Sequence, residues 1–142
     1  MTMATASPAV SAFRAFFESS VPDIDQWLCE GVELRPPTYD KSWQGKALVR
    51  RLLSFAALEF DGLHYTDTWE AAGRFVLRFE GTVGEKRISG VDIVQLDGAG
   101  HIEVIEIFAR PPSAVLALRE RMGVHVGRDP VAMRLMGLPN SQ

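Results

Sequence analysis

Ile88-Ser89-Gly90-Val91-Asp92-Ile93-Val94-Gln95-Leu96-Asp97, the turn Gly98-Ala99-Gly100, and His101-Ile102-Glu103-Val104-Ile105-Glu106-Ile107-Phe108 read as two strands joined by a tight turn. A strand with one wetted face alternates apolar and polar residues. Here Val94 shares a parity with Asp92, while Val91 and Ile93 occupy the other. Likewise Ile105 and Ile107 oppose Val104 and Phe108. Both faces are therefore largely apolar. One face is expected to cover helices and the other to find a second cover, most simply a second copy of the chain packed sheet to sheet.

Working outward, the period-2 pattern extends back to Gly62 and predicts strands over about 63–71, 74–82, 86–96 and 101–109. Asp61-Gly62, Ala72-Gly73, Val83-Gly84-Glu85 and Asp97-Gly98-Ala99-Gly100 separate them, and turns this short make an antiparallel meander. Upstream, Ser7-Pro8 caps and opens a helix that carries Val10, Phe13, Phe16 and Phe17 and ends at Pro22. Asp23, with Gln26 as a capping-box partner, predicts a short helix anchored by Trp27 and Leu28 and stopped at Gly31. Cys29 would lie on its apolar face. Val32–Leu34 reads as a brief strand, and Pro36-Pro37 makes Arg35–Ser42 a shaped loop. Gln44–Phe60 reads as the longest helix, with Leu48, Leu52 and Phe55 on one face. After the sheet, Pro111-Pro112 starts a helix carrying Val115, Leu116 and Met122, with Gly123 as its stop. Asp129-Pro130 caps two further turns closed by Gly137. Helices first, a sheet next and a closing helix last make the fold class α+β.

Composition narrows the function classes. The chain has 142 residues, 15 Lys plus Arg and 18 Asp plus Glu, a net charge of -3. That balance argues against a nucleic-acid binder, which needs a basic stripe to displace phosphate counterions. A single cysteine excludes an internal disulfide. His64, His101 and His125 are isolated, so no metal and no other cofactor is expected. Met1–Val10 has no signal-peptide pattern and no stretch is apolar enough to span a membrane, so the expectation is a cytoplasmic protein. Residues 1–142 read as a single domain with a core over about 7–122 and a tail over 124–142.

These residues, together with Trp43-Gln44-Gly45-Lys46 opening the long helix, resemble the nuclear-transport-factor-2-like (NTF2-like) superfamily, in its SnoaL-like and ketosteroid-isomerase-like branch. The resemblance covers about residues 7–122. It implies a cone in which a curved antiparallel sheet wraps the N-terminal helices, with a pocket at the open end and dimers formed through the outer sheet face. By that mapping Phe75, Leu77 and Phe79 point inward, as do Gly90, Asp92, Val94, Ile105 and Ile107. Trp27, Tyr39 and Trp43 stand at the mouth. A mostly apolar pocket with one or two fixed polar groups is the usual make-up of a small-molecule site. The same residues also suit a filled cone.

Asp92 interrupts an apolar run, where a carboxylate is costly without a partner. The resemblance places it where ketosteroid isomerases have an aspartic acid that donates to the substrate oxyanion, the handling of a buried neutral carboxyl that this enzyme exemplifies. Asp92 is therefore either a donor to a ligand carbonyl or is bonded internally, to a backbone amide or the Trp27 indole. Three departures weaken the known chemistries of the branch. Leu34-Arg35-Pro36-Pro37 stands where an aspartate base is expected. The first helix offers Phe13, Phe16 and Phe17 where a tyrosine donor is expected. Glu106-Ile107 replaces the Trp-Asp pair of the cyclases. Arg78 and Glu80 imitate the Arg-Asp pair of epoxide hydrolases, but their parity points outward. His64, paired with Asp67 or Asp92, and Asp40 in the Pro-rich loop are the substitute acid–base candidates; Glu103 and Glu106 read as rim or outward charges, Glu106 beside Arg78. The functional expectation is a small apolar ligand anchored by Asp92. The alternatives are an isomerase- or cyclase-type enzyme acting on a ketone-bearing substrate, and a dimeric interaction module with a filled cone. Met133, Leu135, Met136 and Leu138 form an apolar cluster in the tail, expected to cover the pocket mouth or the partner subunit, or else to fray.

Overall fold

The computed structural model describes residues 7–19 and 23–139. The predicted helix end at Pro22 falls outside them, as do the last residues of the tail. Helix α1 (Pro8–Glu18) begins where the Ser7 hydroxyl accepts from the Val10 amide at 3.3 Å. Strands β1 (Leu28–Arg35) and β2 (Trp43–Gln44) precede helix α2 (Lys46–Glu59). Strands β3 (Phe60–Ala71), β4 (Arg74–Val83), β5 (Lys86–Leu96) and β6 (Ile102–Arg110) follow, then helices α3 (Pro112–Gly127) and α4 (Pro130–Leu135).

The sheet has six strands in the order β2-β1-β6-β5-β4-β3. The meander β3 to β6 is antiparallel throughout, as the short turns require. β1 adds itself parallel to β6, so the sheet as a whole is mixed rather than purely antiparallel. The expected helix from Asp23 to Gly31 is corrected: a single 3₁₀ turn, Asp25–Trp27, is all that forms. The Asp23 carboxylate accepts from the Asp25 amide at 2.7 Å, an Asx turn where a capping box with Gln26 was expected. A helix that short is marginal on its own. Pairing with β6 recruits Leu28 and Cys29 into β1, and Cys29 is half-buried on a strand rather than set on a helix face.

The long helix starts at Lys46, because Trp43-Gln44 pairs with Leu34 and Glu33 as β2. α3 runs past Gly123 to Gly127, since Gly123 does not take the left-handed conformation that ends a helix. Its buried face is Ala114 and Leu118 with Met122 half-buried, while Leu116 is exposed. α4 forms as expected, with Asp129 accepting from the Val131 and Ala132 amides at 3.0 Å each. The same carboxylate takes Arg51 of α2 at 2.9 Å, which ties α4 down. Arg121 and His125 of α3 clasp Glu59 at the end of α2, at 3.0 and 2.6 Å.

The inner sheet face and the helices share one core. Phe75, Leu77 and Phe79 of β4, Val94 of β5 and Ile105 of β6 are buried against Phe13, Leu48, Val49 and Leu53, as parity predicts. The two-residue turn between β3 and β4 places both Ala72 (φ 51°) and Gly73 (φ 78°) in the left-handed region, the geometry of a hairpin turn that suits Asn-Gly. Alanine carries a Cβ penalty there, so Ala72→Asn is expected to raise stability by about 1 kcal/mol in urea unfolding.

Candidate functional site

Asp92 lies at the centre of the sheet on β5, opposite Leu77 of β4 and Ile107 of β6, with its side chain on the inner face. It is 5% exposed and accepts a hydrogen bond from the Tyr65 hydroxyl at 2.9 Å. No other hydrogen bond to its carboxyl is made among the described residues. The internal partner is thus neither a backbone amide nor the Trp27 indole; Trp27 is half-buried and does not line the cavity at Asp92. Burial pushes the Asp92 carboxyl up to about 7, and the Tyr65 hydrogen bond restrains the rise. Burial also raises the Tyr65 phenol well above its ordinary value, with the Asp92 charge adding to it. Near neutrality the pair therefore holds a protonated phenol and a carboxyl close to its titration midpoint.

Tyr65 is the residue that sequence reading missed. The resemblance implies a tyrosine on the first helix, where Phe13, Phe16 and Phe17 stand; the tyrosine at this carboxyl comes from β3. Two register shifts, between Asp61 and His64 and between Tyr65 and Asp67, bring Leu63 and Tyr65 to the buried face. The second shift frees the Tyr65 amide to donate to the Glu18 carboxylate at 2.7 Å, which pins the end of α1 to this point of the sheet. Arg14 lies 5.6 Å over the Tyr65 ring. Phe13 and Phe79 flank that ring at 6.5 Å each, in tilted and edge-on contact. The signal available in advance was the buried parity shared by Leu63 and Tyr65 beside an unpartnered aspartate.

Around the pair is a cavity of about 60 Å³, walled by Phe17, Leu53, Phe60, Phe79, Ile107 and Leu118 among others. Asp92 and Tyr65 are its titratable groups. An engineered protein cavity that takes benzene is about 150 Å³, so the space at Asp92 admits a group of a few heavy atoms. Above it a second cavity of about 230 Å³ is bounded by Tyr39, Trp43, Val126, Met133, Met136 and Leu138. Leu34, Pro36, Thr38, Leu52 and Met122 wall both.

The structure sorts the other predicted residues. Phe79, Asp92 and Ile107 line the inner cavity, and Tyr39 and Trp43 line the outer one. Phe75, Leu77, Val94 and Ile105 are buried core and line neither cavity, and Trp27, expected at the mouth, also lines neither. His64 is corrected: it is exposed on the outer face, 3.7 Å from Glu80, with Asp92 on the opposite face, while Asp67 accepts from Thr66 instead. Asp40 is also exposed, in a surface groove with Tyr39, Glu106 and Phe108 rather than at the cavity. Arg78 and Glu80 pair outward at 2.8 Å, as their parity predicted. Glu106 pairs with Arg35 at 3.4 Å and not with Arg78.

No family model and no curated protein matches the chain. Solved structures do. An uncharacterised bacterial protein with a cystatin-like fold from Silicibacter pomeroyi superposes with a TM-score of 0.87 at 27% identity, over 92% of this chain and 94% of that one. A steroid delta-isomerase from Pseudomonas aeruginosa gives a TM-score of 0.78 at 25% identity, over 89% and 94%. A ketosteroid-isomerase-like protein from Catenulispora acidiphila, in complex with trimethylamine, gives 0.61 at 13%, over 80% and 93%. The chain thus has the NTF2-like, ketosteroid-isomerase-like fold that its sequence resembles.

Proposed function

We propose that the protein binds a small apolar molecule carrying a neutral hydrogen-bond acceptor, oriented by the Asp92 carboxyl with Tyr65 behind it. The observation that carries this reading is a carboxyl buried in an apolar cavity, with one oxygen held by Tyr65 and no other hydrogen bond among the described residues. A protonated carboxyl can donate to a ligand carbonyl, and a buried donor left unpaired costs free energy, so occupancy is favoured. Solved neighbours of the same fold include an isomerase of steroids and a protein holding a small amine, in keeping with a ligand site inside this fold. The test is a titration with small neutral ketones, acetone and 2-butanone, followed by protein NMR. Saturable shifts at residues around Tyr65 and Asp92 are expected, with affinity falling about tenfold in Asp92→Leu, the worth of one net hydrogen bond. Ketones that bind nowhere near Asp92, or equally well in Asp92→Leu, overturn the reading.

Catalysis by proton transfer is the second reading, favoured by a carboxyl that titrates near pH 7, where a general acid or base works best. Deuterium exchange at the α-carbons of the bound ketone, lost in Asp92→Leu, would establish it; binding without exchange leaves a binding protein.

The outer sheet face is the proposed contact between two copies. Trp69 and Phe108 are 53% and 54% exposed there, and Val76, Val91, Ile93 and Val104 lie between or beside them. Opposed charges rim the patch, Glu33, Arg35 and Glu106 on one side and Arg78, Glu80 and His64 on the other, so a two-fold axis can set unlike charges together. Sedimentation is expected to show a dimer that Phe108→Glu converts to monomer.

A further inference from the structure

The cavity at Asp92 is too small to be a whole binding site for the flat, fused-ring ligands that an isomerase of steroids suggests, and the larger cavity above it has no charged group in its walls. Neither is a complete site alone. Five residues wall both, so the two cavities adjoin, with Leu34, Leu52 and Met122 among the residues they share. The roof of the outer cavity comes from α4 and the residues after it, and three of its bounding side chains are methionines, Met122, Met133 and Met136. Unbranched thioether chains repack around guests of variable shape, which suits a flexible occupant better than a rigid one. Tyr39 and Leu138, 44% and 41% exposed, mark the opening to solvent. Gly123 and Gly127 stand on the same side of α3 at the rim, and a Cβ at either would meet nothing within 4 Å.

We infer that the two cavities are one site for an elongated molecule, a neutral carbonyl head of a few heavy atoms against Asp92 joined to a flexible, unbranched apolar tail that passes Leu52 and Met122 and lies under α4. This deepens, and rests on, the reading of Asp92 as the polar anchor. α4 is then a wall of the binding site, held over it by the Arg51–Asp129 ion pair. The small inner cavity sets the size of the head, and the outer one sets the length of the tail.

The experiment is a homologous series of straight-chain methyl ketones, from 2-butanone to 2-dodecanone, titrated into the full chain, with progesterone as the rigid comparison. Each methylene that enters an apolar cavity is expected to tighten binding about fourfold until the outer cavity is full, after which affinity levels off. Progesterone is expected to bind more weakly than the best linear ketone. Gly123→Leu narrows the rim and, as a helix-interior change from glycine, does not threaten folding. It is expected to move the levelling-off point to tails shorter by about three carbons, roughly the volume of the added side chain. Met136→Trp is the second variant, expected to act in the same direction from the roof. If short ketones bind through Asp92 but affinity is flat with chain length, or progesterone binds tightest, or neither variant moves the levelling-off point, the elongated-ligand inference is overturned while the anchor stands. If no ketone of any length binds through Asp92, the anchor itself fails, and this inference with it.

Discussion

Between pH 4 and pH 8, the difference in unfolding free energy between wild type and Asp92→Asn is expected to swing by about 4 kcal/mol in favour of the variant. The carboxyl is raised from 3.8 to about 7 in the folded chain by burial, so the native state binds a proton that the unfolded state has released. Stability from this group is fully present below about pH 4 and is lost as pH rises through 7. Each unit of raised pKa is worth about 1.4 kcal/mol, and about three units are involved. Taking the difference from Asp92→Asn matters because other carboxylates act with the opposite sign. Glu59, held low chiefly by His125, and Asp97 and Asp129, held low chiefly by backbone amides, all withdraw stability as pH falls. These groups titrate alike in both proteins and cancel. Tyr65→Phe removes the hydrogen bond that restrains the rise, so the upper edge of the window should move to higher pH. Urea unfolding across the pH range reads all three, and a flat difference would show that the carboxyl is not buried as described.

Gly90→Ala is expected to cost about 3 kcal/mol or more, at the severe end for a single methyl group. Gly90 faces Ala109 across β5 and β6, and a Cβ there would run into the carbonyl oxygen of Phe108 and come within 2.8 Å of the Ala109 Cα. Both obstacles are backbone, so no side chain can rotate out of the way. The strands would have to separate at a point two residues from Asp92, and ketone binding should fall with stability. Gly98→Ala is the control. A Cβ there meets nothing within 4 Å and the backbone is not left-handed, so the change is expected to be close to neutral. Urea midpoints for the two variants separate close packing at Gly90 from any general effect of losing a glycine.

Both residues come from the stretch that was most legible. Period-2 patterning with short turns placed β3 to β6 within a few residues, and an aspartate interrupting an apolar strand marked the buried carboxyl. What escaped was set by contacts remote in sequence. β1 is a strand because β6 is beside it, and nothing local in Leu28-Cys29-Glu30-Gly31 outweighed the helix-start signals at Asp23. Tyr65 escaped because the parity it shares with Leu63 does not continue along β3, which has a register shift on each side of that short run. His64 reads as a substitute base paired with Asp67 or Asp92, yet adjacent strand residues point to opposite faces, and burying Tyr65 exposes His64. The tail was legible as an apolar cluster and as a capped helix, while its place over the outer cavity depended on α3 running on to Gly127.

Tyr65 and Asp92 belong to β3 and β5, with β4 between them. Strands two places removed are about 9–10 Å from each other at the backbone, yet these side-chain tips meet at 2.9 Å. They meet because the Tyr65 phenol, level with Phe79 and Gly90 in the register, reaches over β4 and two residues along β5. The hydrogen bond therefore ties β3 to β5 over an intervening strand, and a shift of one against the other would release the restraint on the Asp92 proton.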